Sequence, residues 1–319
     1  MSLSPDPHPA SRRLQRLQLR AVEPSRHANI QQIERHHTRE EIVMRLRTFA
    51  ALRPVRPVFC HWSALAVHGL PFAGRHPRSI HILARGEREH LGGGIVQHAR
   101  RDDTQVLEVQ GLLVTTAART VADVASRSSL MSGVMAADAA LACGAFSERR
   151  PKAQRSDIAK AARGLPADAG RERALAVAEF ADGQAESPLE SASRVSMALC
   201  GAPPPALQQP VEDLLGFRAR LDFVWPELGL VGEADGVVKM VRPDLLDGRS
   251  RDQALEERRR RESLIRAMGL RVVRWGWKTA MRPDLMRVLL SDAGVPLSVR
   301  STFPRLDLPA VGWDVSAAT

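Results

Sequence analysis

Residues 217–236 read FRARLDFVWPELGLVGEADG. Phe217, Ala219, Leu221 and Phe223 alternate with Arg218, Arg220, Asp222 and Val224, the two-residue period of a half-buried strand. Pro226-Glu227-Leu228-Gly229 has the composition of a turn, and Leu230 to Asp235 reads as the returning strand. A hairpin closing tightly around Glu227 and Leu228 sets Asp222 opposite Glu233 and Arg220 opposite Asp235, all four side chains on one face. Opposed Cβ atoms stand about 4.5–5.5 Å apart, where like charges destabilise the pair. Two carboxylates so placed require either a cation between them or a raised pKa.

A hard divalent ion, Mg²⁺ or Mn²⁺, meets that requirement. It takes one or two carboxylates and keeps water and phosphate oxygens as its remaining ligands. Asp222 and Glu233 are therefore the candidate metal ligands. Such an ion polarises a phosphoryl oxygen and lowers the pKa of a bound water, which is the chemistry of phosphodiester hydrolysis. Lys239 follows shortly after Glu233 in a chain whose other lysines are Lys152, Lys160 and Lys278. It is the candidate for steadying the attacking water, with an ordinary surface lysine as the plain alternative. Asp235 and Glu190 are candidate supporting carboxylates. Each has a structural alternative: Asp235 can pair with Arg220, and Glu190 can complete a capping box with Ser187.

Working outward, Ser187-Pro188-Leu189-Glu190 reads as a helix start, with Ser as N-cap, Pro at the first helical position and Glu two positions later. That helix stops at Gly201, and a strand is expected around Leu207 to Val211. Beyond the hairpin, Arg249 to Met268 reads as a charged helix, Leu270 to Trp275 as a strand and Arg282 to Leu290 as a last helix. On the charged helix Leu255, Arg258, Glu262, Ile265 and Met268 form one stripe. The run Arg258 to Arg261 is a solvated face in the plain reading and the lining of a phosphate-binding cleft in the sharper one. Glu257 and Glu262 are expected to form local salt bridges. Arg220, Arg258 and Arg274 are the candidate contacts to a DNA backbone.

Asp222 followed by Glu233-Ala234-Asp235-Gly236, set in an αβββαβ order, resembles the PD-(D/E)xK nuclease superfamily, in particular the branch related to very-short-patch-repair (Vsr) endonucleases. Three segments carry the likeness: Glu186 to Ser191, Leu221 to Gly236, and Gly269 to Trp275. The resemblance implies a restriction-endonuclease-like core over residues 186–295 that uses Mg²⁺ to cut DNA. It departs from the pattern at one place: Asp235 holds the position where the superfamily has its lysine, so Lys239 would have to reach in from beyond the strand.

The preceding region has a different texture. A helix from His61 closed by Gly69, strands at Ser79 to Ala84, Gly94 to His98 and Leu112 to Thr115, and helices after Thr116 and from Leu130 make a mixed α+β domain over 55–146. The segments His61 to Pro71 and Thr115 to Asp123 are similar to the AbiEi antitoxin family of type IV toxin–antitoxin systems. That resemblance implies DNA binding through an N-terminal winged helix and a cognate toxin or defence protein as partner. Residues 1–50 form a basic, partly helical segment without a clean winged-helix pattern. Its Glu40 to Leu52 has helical spacing. Residues 147–185 read as a helical connector broken at Gly164-Leu165-Pro166 and Gly183, and 296–319 as a tail. The fold class is α/β (α+β).

Bulk composition agrees with a folded chain of two domains: 319 residues, 44% hydrophobic and 26% charged. No run approaches the roughly 18 apolar residues of a membrane span, and the first twenty residues lack the apolar stretch of a secretory signal, so a cytoplasmic protein is expected. Cys60, Cys143 and Cys200 are isolated, which reads as buried thiols rather than as disulfides or a zinc site. His61 and His68, two turns apart on one helix, read as core histidines in the absence of a third ligand. The formal charge of +10 points to an anionic partner, with nucleic acid ahead of a membrane surface. The expected function is thus a metal-dependent DNA endonuclease-like protein fused to an AbiEi-like domain. The alternative is a non-catalytic DNA-binding regulator or antitoxin.

Overall fold

Two mixed sheets organise the protein. The computed structural model describes residues 38–84, 90–100, 104–142, 150–213, 216–235 and 251–306. Lys239, Cys143, the basic segment before Thr38 and most of the tail lie outside the described residues.

The first sheet begins after helix α1 (Arg39–Ala51), which follows the helical spacing noted from Glu40. It contains β1 (Val58–Phe59), β2 (Ile80–Leu83), β3 (His90–Gly92), β4 (Ile95–His98), β5 (Val106–Val109) and β6 (Leu112–Thr115), in the order β3-β4-β2-β1-β6-β5. β1–β6 and β2–β4 are parallel pairs and the remaining neighbours antiparallel. Helix α2 (His61–His68) leaves β1 at once and ends on Gly69, whose left-handed φ of 67° is the usual glycine C-cap. Ile42, Val43 and Leu46 of α1 and Ala64, Ala66 and Val67 of α2 close over Phe59, Ile80, Leu112 and Val114 in a small apolar cluster.

Five helices follow in sequence from the first sheet: α3 (Ala117–Arg127), α4 (Leu130–Leu141), α5 (Arg155–Arg163), α6 (Ala169–Phe180) and α7 (Pro188–Leu199). Their starts are written in side chains. Thr116, Ser129, Asp168 and Ser187 each accept an amide from the first turn, satisfying donors that the helix itself leaves without partners. The stretch read as a connector, 147–185, contributes α5 and α6 to the largest apolar cluster, which is continuous from Leu65 to Phe303. Asp138 on α4 and Arg194 on α7 form a buried ion pair at 2.7 Å. The Asp182 amide donates to Asp138 at 2.8 Å, and Arg194 donates to the Phe180 carbonyl at 2.8 Å. The helical layer is therefore bound to α7 by a fully hydrogen-bonded charge pair as well as by apolar contact.

The second sheet holds β7 (Ala206–Glu212), β8 (Arg218–Trp225), β9 (Leu230–Ala234) and β10 (Arg271–Trp275) in the order β10-β9-β8-β7. Only β9–β10 is parallel, because helix α8 (Arg251–Ala267) carries the chain across between them. Short α9 (Trp277–Ala280) and α10 (Pro283–Asp292) follow. The order from α7 to β10 is helix, three strands, helix, strand, as expected. Trp275 and Phe223 meet in a tilted pair with ring centroids 5.4 Å apart, and the Trp275 ring leans over Gly232 so closely that a Cβ there would fall 2.5 Å from it. On the α8 side Val224 and Val231 pack against Ile265. Among the described residues no helix is long and apolar enough to cross a membrane.

Candidate active site

The hairpin register is the expected one. Phe223 pairs with Gly232, Val224 with Val231 and Trp225 with Leu230, around a 3₁₀ turn at Pro226–Leu228 that Gly229 closes with φ 54°. The next step along that register would oppose Asp222 to Glu233, but the ladder ends one pair short of it. The Asp222 carboxylate itself accepts the Ala234 amide at 2.9 Å. A side chain thus does what a strand carbonyl would do in a longer ladder.

This ending corrects one expectation. Arg220 lies beyond the last β8–β9 pair, so it is not carried opposite Asp235. Its guanidinium ion-pairs with Glu186 at the start of α7. Asp235 is met from the other side, by Arg258 of α8 at 3.0 Å and Arg274 of β10 at 3.7 Å. Arg274 also reaches Glu262 at 3.1 Å, and Glu262 pairs with Arg258 at 3.4 Å. Two of the three arginines assigned to a DNA backbone are therefore half-exposed members of a charge network around Asp235.

Of the two central carboxyls Glu233 is buried and Asp222 partly buried, and Glu233 acts on Asp222. Burial, then Glu233, then Glu190 push Asp222 up to about 7, against the opposing pull of the Ala234 amide and Arg261. Glu233, 5% exposed, is also raised by burial, while Arg261 and Arg274 draw it down. Arg261 donates to Glu233 Oε2 at 2.7 Å and to the Arg220 carbonyl at 2.9 Å. The other oxygen, Glu233 Oε1, is buried without a hydrogen-bond partner.

Glu190 forms half of the expected capping box: Ser187 caps its amide, but its carboxylate takes the Ser187 hydroxyl and the Glu186 amide rather than the Ser187 amide. Ser187 Oγ accepts the Glu190 amide at 3.2 Å and donates to Glu190 Oε1 at 2.6 Å. Glu190 Oε2 accepts from the Glu186 amide at 2.9 Å and from Gln208 at 2.8 Å. With both oxygens engaged locally, Glu190 acts on Asp222 through its field.

No family model matches the chain, and no solved structure matches it. Two curated proteins do: uncharacterized protein Rv2248 and uncharacterized protein MT2308, both from strains of Mycobacterium tuberculosis. Each is 32% identical over 204 residues, covering 63% of this chain and 70% of the relative. The chain belongs to their family. Neither relative's name states an activity, so for the Rv2248 family the chemistry has to be read from the side chains themselves.

In this member of the Rv2248 family the cation delivered to the acidic pair is Arg261, which the sequence reading left inside a basic run. The run divides by helix phase. Arg258 and Arg261 turn toward the sheet, while Arg259 and Arg260 point outward and reach Glu256 at 4.0 and 3.5 Å. A signal for Arg261 was present: it precedes buried Ile265 by one helical turn, so the apolar face that docks α8 brings it to the sheet. The side chains of Leu255 and Glu257 lie outside the described residues, while Met268 is exposed and leaves the proposed stripe.

Proposed function

We propose that this protein is a metal-dependent nuclease-like enzyme acting on DNA phosphodiesters, with Asp222 and Glu233 as the ligands of Mg²⁺ or Mn²⁺. One observation carries the reading: desolvation and the neighbouring Glu233 raise the cost of ionisation at the partly buried Asp222, and the oxygen Glu233 Oε1 is left buried without a partner. An anionic donor set with an unsatisfied oxygen fits a hard divalent cation. When bound, such an ion would supply Lewis acidity to a phosphoryl oxygen and lower the pKa of a coordinated water.

The chain's own residues have separable parts in this reading. The Ala234 amide fixes one oxygen of Asp222 and so aims the other. Arg261 holds Glu233 in one rotamer and offers a cation beside the acidic pair, in the neighbourhood where the superfamily's lysine would be expected. Arg258 and Arg274, balanced by Asp235 and Glu262, form a rim that a phosphate backbone can enter by exchanging one anionic partner for another. Asp235 is then a positioning residue for that rim, and Glu190 acts on Asp222 through its field. The AbiEi-like region would supply further DNA contact or the seat for a cognate protein.

A specific feature also supports the second reading, a non-catalytic DNA-binding regulator. The Arg261–Glu233 pair already brings a positive charge to the acidic cluster without any metal. Nicking of supercoiled plasmid separates the two. The enzyme reading expects Mg²⁺- or Mn²⁺-dependent nicking by the wild type and its loss in Asp222→Asn. Equal DNA binding by both proteins with no cutting in either metal removes the enzyme reading and leaves the regulator.

A further inference from the structure

Far from the acidic pair along the chain, three segments of the first sheet and its helix deliver nitrogen and sulfur ligands to one buried place. Cys60 directly follows β1 as the N-cap residue of α2, His61 opens α2 and His98 ends β4. The Cys60 thiol and one ring nitrogen from each histidine all lie within 4.8 Å of one another, and all three residues are buried. His68, read beside His61 in the sequence, is not part of this group; its ring bonds to the Thr115 carbonyl at 2.8 Å.

Several features separate the cluster from ordinary core packing. His61 Nδ1 is buried and makes no hydrogen bond. Its closest acidic neighbour is Asp123 Oδ2 at 3.8 Å, and Asp123 is itself gripped by Arg119 at 2.8 Å. His61 also has φ 48°, a left-handed backbone unusual for a side-chain-bearing residue. Behind His98 stands His81: the His81 Nδ1 to His98 Nε2 distance is 2.9 Å, and His81 Nε2 reaches Ser79 Oγ at 3.1 Å. Metal-bound histidines commonly back onto a carboxylate or another polar partner that fixes the tautomer. Here His98 has such a partner in His81, while Asp123 stands 3.8 Å from His61 Nδ1 as a nearby carboxylate. Burial first, then the neighbouring histidines, hold His61 well below its usual range, and the same effects lower His81 to about 3.

We propose that Cys60, His61 and His98 form a transition-metal site of zinc type, with His81 as the partner that orients His98. One thiolate with two imidazoles is a soft-to-borderline donor set that selects zinc over Mg²⁺. Zn–N distances of about 2.0–2.1 Å and Zn–S of about 2.3 Å set tetrahedral ligand separations near 3.3–3.6 Å. Occupancy therefore draws the three ligands, which lie within 4.8 Å of one another, to those shorter separations. It also turns His61 and His98, whose rings stack at 3.5 Å and 12°, away from parallel so that their lone pairs converge. The site ties the start of α2 to β2 and β4, and its occupancy stabilises the folded chain by mass action.

The test uses the full chain, with zinc and cobalt as probes. Dialysis against zinc followed by removal of loosely held metal is expected to leave one zinc per chain and a higher melting temperature. The cobalt form is expected to show a thiolate-to-cobalt charge-transfer band. Cys60→Ser should lose that band and bind zinc at least tenfold more weakly, as should His98→Gln, and His81→Asn should weaken zinc by roughly 10–100-fold. Asp222→Asn should retain its zinc. The proposal is overturned if the wild type keeps no stoichiometric zinc, if its cobalt spectrum lacks the thiolate band, or if zinc departs with Asp222→Asn. The wild-type cobalt spectrum decides the matter even if a cluster variant fails to fold.

Discussion

The Asp222 carboxylate accepts the Ala234 amide at 2.9 Å at the point where the β8–β9 ladder stops. An ionisable group is thereby built into the backbone hydrogen bonding of the sheet, and its proton occupancy acts on the fold as well as on any metal.

Asp222 binds its proton more tightly folded than unfolded, with a value of about 7 against an ordinary 3.8. Its contribution is thus full below the unfolded value and is lost as pH rises through about 7. Metal-free wild type should therefore lose stability across that interval relative to Asp222→Asn, which removes the titration. Urea midpoints at about pH 5 and about pH 8, on either side of the folded value of about 7, check it. Parallel shifts in both proteins would refute the assignment.

Arg261 and Glu233 should behave as a coupled pair. Arg261→Met leaves a buried carboxylate without its 2.7 Å donor and should cost about 2–4 kcal/mol. Adding Glu233→Gln should recover part of that loss. A double-mutant cycle by chemical denaturation reads the coupling, and strict additivity would mean that the contact carries no energy.

Gly232→Ala should destabilise the chain by about 1–3 kcal/mol, because the new methyl meets the Trp275 ring. Thermal melts of Gly232→Ala alone and with Trp275→Leu separate this clash from a general intolerance of β9. Only the clash predicts that the second change relieves the effect of the first.

Arg194→Met strands Asp138 in the layer between α4 and α7, where burial already holds its carboxyl above the usual range. The expected loss is about 3–5 kcal/mol. Asp138→Asn combined with Arg194→Met should cost less than Arg194→Met alone, by the same denaturation measurement.

Much of the second sheet was legible because its signals are local. The alternation through Phe223, the turn residues before Gly229 and the Ser187–Pro188 start each act within a few residues, and the structure forms each of them. Arg220 was misassigned because the pairing rule extends a ladder indefinitely, whereas this ladder stops at Phe223. Arg261 was passed over because helix phase becomes informative only once Ile265 is known to be the docking residue. Edge strand β5, with Leu107 exposed and Glu108 pairing to Arg56, carries too little apolar pattern to announce itself. The meeting of Cys60, His61 and His98 depends on the β2–β4 pairing, a nonlocal contact that no spacing rule encodes.

The unbroken apolar cluster from Leu65 to Phe303 constrains how this protein can be dissected. A fragment beginning near Glu186 would retain every acidic residue of the proposed nuclease centre yet strip α7 of α4, leaving Arg194 without Asp138 and a broad oily surface open to water. Such a piece would aggregate before it could be assayed. Failure of an excised C-terminal half to cut DNA would consequently report on lost scaffolding, and the centre can be judged only in the intact polypeptide.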